Sequence, residues 1–184
     1  MSRRARCFAR DEKGVTLIEF GILALPFFTI IFAILQTAIV FLGAQVFDSA
    51  LEDATRVVRT GQAQNAAWTS SDLRNYMCDY TFGLIDCSQI FISVKTIDNF
   101  DDVSFTPPTM KCTTTPPKPQ VCKWDPDPPP YAPGGGRTVV EVSAYYRWPL
   151  VVVLPYFNLK NQTDNYRLIS AFRVFRNEPF GGTE

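Results

Sequence analysis

The feature that most constrains this chain is a run of 28 residues without a charge, from Phe20 to Phe47. A helix needs roughly 20 apolar residues to cross the hydrocarbon core of a bilayer. A secretory signal peptide has an apolar core of only about 7–15 residues and ends at a small-residue cleavage site. The run is too long for a cleaved signal, so the sequence predicts a membrane-spanning helix. Pro26 removes one backbone hydrogen bond from this helix, which predicts a kink or local loosening at residues 22–26.

The charges before this run predict how the helix is oriented. Residues 1–14 have a net charge of +3, residues 15–184 have a net charge of −3, and the whole chain is neutral. Basic residues beside a spanning helix stay in the cytoplasm. We therefore expect a cytoplasmic N-terminus and a periplasmic outer part, in the inner membrane of a bacterium. Because the excess positive charge is confined to a short leader, no nucleic-acid partner is expected.

The helix is expected to continue beyond the lipid bilayer as an amphipathic stalk. Apolar residues recur at Phe47, Leu51, Ala54 and Val58, which is the spacing of one helical face. Gly61 then supplies a stop signal. The sequence therefore predicts one helix of about 45 residues, half of it in lipid and half packed on an outer domain.

The outer part is predicted to be an α+β domain in which the stalk packs on a small antiparallel sheet. The stretch "TSSDLRNYMCDY" predicts a second, shorter helix with Ser70 or Ser71 as its N-cap. Segments rich in β-branched and aromatic residues predict strands at 90–97, 137–153 and 166–176, the second interrupted by a proline. Aromatic residues of the last two strands can supply a core against the stalk: Tyr145, Tyr146, Trp148, Phe172 and Phe175.

Residues 106–137 form a proline-rich stretch that holds ten of the 14 prolines in the chain. Proline has no backbone N–H to give to a helix or a sheet. We therefore expect neither a β ladder nor a long helix here, but extended polyproline segments and turns. The stretch is interpreted as a variable surface loop, with a contact loop for a partner as the alternative.

The cysteines are divided by the predicted membrane helix. Cys7 lies on the cytoplasmic side, whereas Cys78, Cys87, Cys112 and Cys122 lie on the outer side, where disulfides persist. Four cysteines allow three connectivities, and sequence proximity favours Cys78–Cys87 and Cys112–Cys122 over the other two. A zinc site is the weaker alternative, because no spacing is a C-x-x-C and no histidine can assist.

The sequence shows no catalytic signature. It contains no histidine, which is the commonest general base and metal ligand. It also lacks a G-x-S-x-G motif and a phosphate-binding loop. Asp125 and Asp127 lie two residues apart, but within a run of prolines we expect them to be solvated. We therefore expect a protein without enzymatic activity, cofactor or metal ion.

One acid, Glu19, lies directly before Phe20 and follows five uncharged residues, Gly14 to Ile18. Ionisable groups in membrane segments are costly and are usually functional. The alternative is that Glu19 stays at the cytoplasmic interface while the spanning helix begins at Phe27, since residues 27–47 are already long enough to cross.

The residues around Glu19 resemble the type IV prepilin cleavage signal, in which a glycine is followed five residues later by glutamate and then by an apolar helix. The basic leader ends at Lys13 and Gly14, and Glu19 would be the fifth residue of a chain that begins at Val15. The resemblance implies that a prepilin peptidase cuts after Gly14 on the cytoplasmic side. It also implies that Glu19 pairs with the new N-terminal amine of a neighbouring subunit, so that neither charge is left unpaired. A carboxylate at the start of a helix is also favoured by the helix dipole.

The chain is similar to TadE-like proteins of the tight-adherence (Flp) type IVb pilus system in four segments: "GVTLIEFGILALPFF", "DATRVVRTGQAQ", "VEVSAYYRWPLVVVLP" and "AFRVFRNEPFGG". Such proteins often have a cysteine pair near the positions of Cys78 and Cys87. The resemblance implies a pilin-like fold and a role as a minor pilin or pseudopilin in pilus assembly. The implied partners are the prepilin peptidase, other Tad pilins, the inner-membrane assembly platform and the lipid bilayer.

These expectations divide the chain into a leader (1–14), a transmembrane helix (15–47) and an outer pilin-like domain (48–184). Phe20 departs from the family, because Flp-type cleavage sites favour a tyrosine after the glutamate. The alternative function is therefore an unprocessed single-pass protein that acts as a membrane-anchored binding or assembly-platform component.

Overall fold

The structure, a computed structural model, describes residues 15–113, 121–152, 158–162 and 165–181. The predicted leader, with Cys7 and Gly14, lies outside the described residues. The chain divides into two compact units, with the boundary between Ile39 and Val40. The first unit contains the beginning of the long helix, and the second contains the end of that helix together with the remaining elements.

Helix α1 comprises Val15–Arg59, 45 residues, as predicted from the sequence. It is continuous through Pro26, so any loosening at residues 22–26 does not end the helix. The helix stops where Gly61 adopts the left-handed region with a φ of 79°. The backbone N–H of Gly61 donates to the carbonyl of Val58 at 3.1 Å, which satisfies one of the last carbonyls of the helix.

Two further helices follow α1: α2 comprises Gln62–Asn65 and α3 comprises Ser70–Asp79. The N-cap of α3 is Thr69, so the prediction of Ser70 or Ser71 was wrong by a residue or two. Thr69 has the extended backbone that a cap requires, and its backbone N–H donates to Asp72 Oδ2 at 2.8 Å. Both serines instead lie in the first turn of the helix.

Five strands complete the domain: β1 (Phe91–Ile97), β2 (Thr109–Thr113), β3 (Val121–Asp125), β4 (Val139–Pro149) and β5 (Tyr166–Arg176). Strands β1, β4 and β5 form an antiparallel sheet with β4 in the centre, and this confirms the predicted α+β class. Val142 of β4 lies opposite Val94 of β1 and Arg173 of β5, which fixes the register of the sheet.

The core lies between this sheet and the stalk part of α1. The four apolar residues predicted to form one face of the stalk are all fully buried there: Phe47, Leu51, Ala54 and Val58. From the sheet, the core takes alternate residues of the central strand: Val140, Val142, Ala144 and Tyr146. The Tyr146 ring lies 6.4 Å from the Phe47 ring, and the Trp148 ring packs so closely on Gly43 that a Cβ there would clash.

The aromatic residues expected in this core divide between the two faces of the sheet. Tyr146, Trp148 and Phe175 belong to the face that packs against α1. Tyr145 lies on the opposite face, where its ring is 6.2 Å from Phe91, and Phe172 is exposed and stacks on Phe105. Adjacent residues of a strand point to opposite faces, so Tyr145 and Tyr146 cannot share one core.

The prediction that the proline-rich stretch cannot form a β ladder was wrong. Strands β2 and β3 pair antiparallel within it, with Cys112 opposite Cys122. The described prolines lie before β2 and after β3 rather than inside either strand, so each ladder residue keeps its N–H. A later part of the stretch runs beside β1, where Ala132 N–H donates to the Val94 carbonyl at 2.8 Å and covers that sheet edge.

An ion-pair cluster joins α1 to β5. The Arg173 guanidinium donates from Nη1 and Nη2 to the two carboxylate oxygens of Asp48, at 3.0 and 2.8 Å, and from Nε to Glu52 Oε2 at 2.6 Å. Hydrogen bonds to Asp48 and then to Glu52 hold the pKa of Arg173 above its ordinary value. The planar guanidinium thus holds the stalk against the edge strand.

Replacing Arg173 by lysine is expected to lower the free energy of unfolding by about 1 kcal/mol, because an ammonium cannot hold Asp48 with two hydrogen bonds and Glu52 with a third. Urea unfolding of the whole chain in detergent micelles measures this change. Arg176→Lys at the exposed end of the same strand is the matched control. Equal unfolding midpoints for the two variants would contradict a stabilising role for the cluster.

Candidate assembly site

Glu19 lies on α1 one turn after its first described residue, Val15. The side chain is exposed, and so are its apolar neighbours Leu17, Ile18 and Phe20. It is the one ionisable residue in positions 15–47 of the sequence. The carboxylate therefore stands alone on an otherwise apolar helix surface.

Glu19 has no hydrogen bond or ion pair with the part of the chain that the structure describes; the ion pairs found there join other residues. Val15 lies four residues earlier and therefore on the same helix face, about 6 Å away along the axis. The structure thus places the two predicted site residues at one end of one face. Gly14, the predicted residue before the cut, lies outside the described residues.

The helix dipole gives only a small reason for Glu19. The first turn of α1 contains no acid, and Glu19 comes directly after that turn. The dipole effect falls off within the first turn of a helix. A carboxylate at this position therefore needs another charge, or water, to stabilise it.

Two other polar residues of the apolar run are satisfied inside the helix. The hydroxyl of Thr29 donates to the carbonyl of Leu25 at 2.8 Å, and that of Thr37 donates to the carbonyl of Ala33 at 2.8 Å. Such bonds suit a helix surrounded by lipid, where no water can replace them. The described helix from Thr16 to Arg59 is long and apolar enough to cross a membrane. Glu19 differs from the threonines because its charge cannot be satisfied by its own helix.

The four cysteines that follow α1 lie at disulfide distance in two pairs, Cys78–Cys87 and Cys112–Cys122, with Cα atoms 5.7 and 4.0 Å apart. This is the pairing that sequence proximity favours. The first pair closes a loop between the end of α3 and a 3₁₀ turn that precedes β1. The second links β2 to β3 across their ladder.

The two aspartates of the proline run are held by lysines. Asp125 pairs with Lys111 at 2.8 Å, and Asp127 lies 3.9 Å from Lys123. Among the residues that the structure describes, no group of three or more cysteine, aspartate or glutamate side chains could hold a metal ion.

The sequence did not predict the role of Arg173, which joins α1 to β5. One signal was available: Asp48 and Glu52 lie four residues apart on α1, and β5 contains an arginine at position 173. The pairing joins residues 125 positions apart, so no local pattern could show it.

One family model matches the part of the chain that contains Glu19. The model of the TadE-like protein family matches residues 14–56, from the predicted cleavage glycine to the buried face of the stalk. No curated protein and no solved structure matches the chain. Residues 14–56 are therefore similar to the TadE-like protein family over most of α1.

Proposed function

We propose that this chain is a non-catalytic minor pilin or pseudopilin that takes part in assembling the Tad (Flp) type IVb pilus. The observation that carries the proposal is Glu19, an exposed carboxylate that has no partner among the described residues and lies on the apolar helix that the family match covers. In a filament of packed helices, the amine of a neighbouring subunit supplies the missing partner.

The length of α1 allows Glu19 to lie either near the membrane surface or between packed subunits. From Phe20 to Phe47 the helix extends about 42 Å, whereas the hydrocarbon core of a bilayer is only about 30 Å thick. A single subunit can therefore keep Glu19 near the cytoplasmic surface, where water stabilises the charge. Packing against other subunits moves the carboxylate into apolar surroundings, where a pair with an ammonium is strongly favoured over an unpaired charge.

The proposed topology follows the charge of the leader. The N-terminus stays in the cytoplasm, α1 crosses the inner membrane, and the domain that contains both cysteine pairs lies in the periplasm, where disulfides persist. In this arrangement a prepilin peptidase meets the bond between Gly14 and Val15 at the cytoplasmic surface. The remaining partners are other Tad pilins and the assembly platform in the same membrane.

The second candidate is an unprocessed single-pass protein that binds other components but never enters a filament. The observation that favours it is Phe20, which stands where Flp-type cleavage sites favour tyrosine. In that case α1 is a permanent anchor, and Glu19 stays at the membrane surface.

The two candidates predict different N-termini. We expect the protein from its native membrane to begin at Val15, as measured by intact mass and N-terminal sequencing. The same protein from cells without the prepilin peptidase is the control and should keep the leader. A chain that still carries residues 1–14 in cells with the peptidase would exclude processing and favour the unprocessed anchor.

A further inference from the structure

The loop closed by Cys78 and Cys87 exposes three large apolar or aromatic side chains: Tyr80, Phe82 and Leu84. Phe82, at the tip, is 82% exposed. The base of the loop is fixed, because Ile85 and Thr81 are buried and the Thr81 hydroxyl donates to the Cys78 carbonyl at 2.7 Å. The loop is therefore a firmly held structure with an apolar tip.

The backbone at the tip is strained in a way that stability does not explain. Phe82 has a φ of 54°, and Gly83 follows with a φ of 71°. A bulky residue with positive φ is rare and costs of order 1–3 kcal/mol, whereas glycine or asparagine tolerates this region. Phe82 is thus both strained and exposed, which makes its side chain a candidate for a contact outside the domain.

The loop lies at the end of the domain from which α1 runs toward its N-terminus. The backbone N–H of Asp86 donates to the Tyr146 hydroxyl at 3.4 Å, and the Tyr146 ring contacts Phe47 of α1. Two residues further along β4, Trp148 packs on Gly43. The base of the loop is therefore level with Phe47, one turn of α1 away from Gly43.

The side chains of α1 show where a bilayer surface would meet this end of the domain. Phe41 and Leu42 are 56% and 55% exposed, so they need lipid around them. Asp48 is the next charged residue, and its carboxylate binds Arg173 rather than lipid. Leu42 and Asp48 are about 9 Å apart along the helix, and the surface of the hydrocarbon core must fall between them. This is the level at which the loop is held.

We propose that the Cys78–Cys87 loop rests on the bilayer that α1 crosses, with Phe82 inserted at the boundary between headgroups and acyl chains. The inference rests on the proposed membrane anchor. Interfacial side chains enter this boundary by about 5–10 Å, and aromatic residues are preferred there. Because α1 already holds the loop at the surface, insertion costs little further translational freedom, whereas a separate protein partner would lose its own.

The contact gives the domain a second attachment beside α1. One helix alone lets the domain tilt and rotate over the membrane, whereas a helix and an inserted loop together fix its orientation. The surface offered to other subunits would then be set before assembly begins.

Tryptophan fluorescence in nanodiscs tests the contact with the whole chain. In phosphatidylcholine discs with brominated acyl chains, Phe82→Trp is expected to add fluorescence that falls by roughly half relative to unbrominated discs. The fluorescence of the unchanged chain, with its three tryptophans, is subtracted. Phe100→Trp is the matched control, because Phe100 is 52% exposed but follows β1 at the opposite end of the sheet. Its added fluorescence should not change.

Phe32→Trp, within the apolar run, separates this inference from the proposed anchor. Leu84→Trp is a second variant within the loop. If bromolipid quenches a tryptophan at 32 but neither one at 82 nor one at 84, the loop proposal is overturned. If it quenches none of them, the membrane anchor fails and the loop contact fails with it. If a tryptophan at 82 becomes shielded only when a second copy of the chain is present, the loop binds protein rather than lipid, which also overturns the proposal.

Discussion

Replacing Glu19 by glutamine is expected to abolish incorporation of the chain into pili while leaving its amount in the membrane unchanged. Glutamine keeps the size and the hydrogen-bonding ends of the side chain but removes the charge that Glu19 would offer to a neighbouring amine. Breaking a buried ion pair by removing one partner costs about 3–5 kcal/mol, which corresponds to a loss of at least about 100-fold in association. Immunoblots of sheared pili and of the membrane fraction measure both quantities.

Two controls make this result specific to Glu19. Glu12→Gln removes a carboxylate from the leader, which processing would discard, so pili should be unaffected. Glu19→Asp keeps the charge on a side chain one methylene shorter and should give an intermediate amount. Normal pili with Glu19→Gln would show that the residue is an interfacial carboxylate without a role in assembly.

Replacing Leu51 by alanine is expected to destabilise the second unit by about 2–5 kcal/mol, which is a large part of the stability of a domain of this size. Leu51 is fully buried in the centre of the stalk face, between Phe47 and Ala54, so the variant leaves a cavity that the surrounding strands cannot fill. Urea unfolding of the whole chain in micelles, followed by tryptophan fluorescence, measures the loss.

Leu42→Ala is the matched control for this core variant. It removes the same atoms from the same helix, but Leu42 is exposed and has no core to support. We expect its unfolding midpoint to stay close to that of the unchanged chain. A similar shift in both variants would mean that the helix contributes through its own stability rather than by packing on the sheet.

The sequence predicts best those elements whose pattern is local and uninterrupted. The length of α1 follows from one apolar run and one stop signal. The bounds of β5 agree with the predicted residues 166–176, because β-branched and aromatic residues recur along the segment and no glycine or proline interrupts it. The faces of β4 could not be predicted. Both of its faces are covered, so the usual alternation of buried and exposed residues is missing along most of the strand.

The wrong prediction for residues 106–137 arose because the proline content of the whole stretch was considered rather than the positions of the prolines. Ten prolines in one stretch suggest that no ladder can form. Two five-residue segments between them nevertheless contain no proline, and they pair as β2 and β3. Glu19, in contrast, could be identified from the sequence alone. The isolation of Glu19 follows directly from the sequence, because it is the one charged residue between Val15 and Phe47.

One helix, α1, contains both the apolar run and one face of the core, and this has a mechanical consequence. The apolar face of residues 47–58 is one wall of the core, and Arg173 joins the same segment to the edge strand through three hydrogen bonds. A pulling force along the helix axis would load these contacts side by side, in shear, rather than opening them one after another. The second unit should therefore transmit tension from its part of α1 to its sheet through all of these contacts at once.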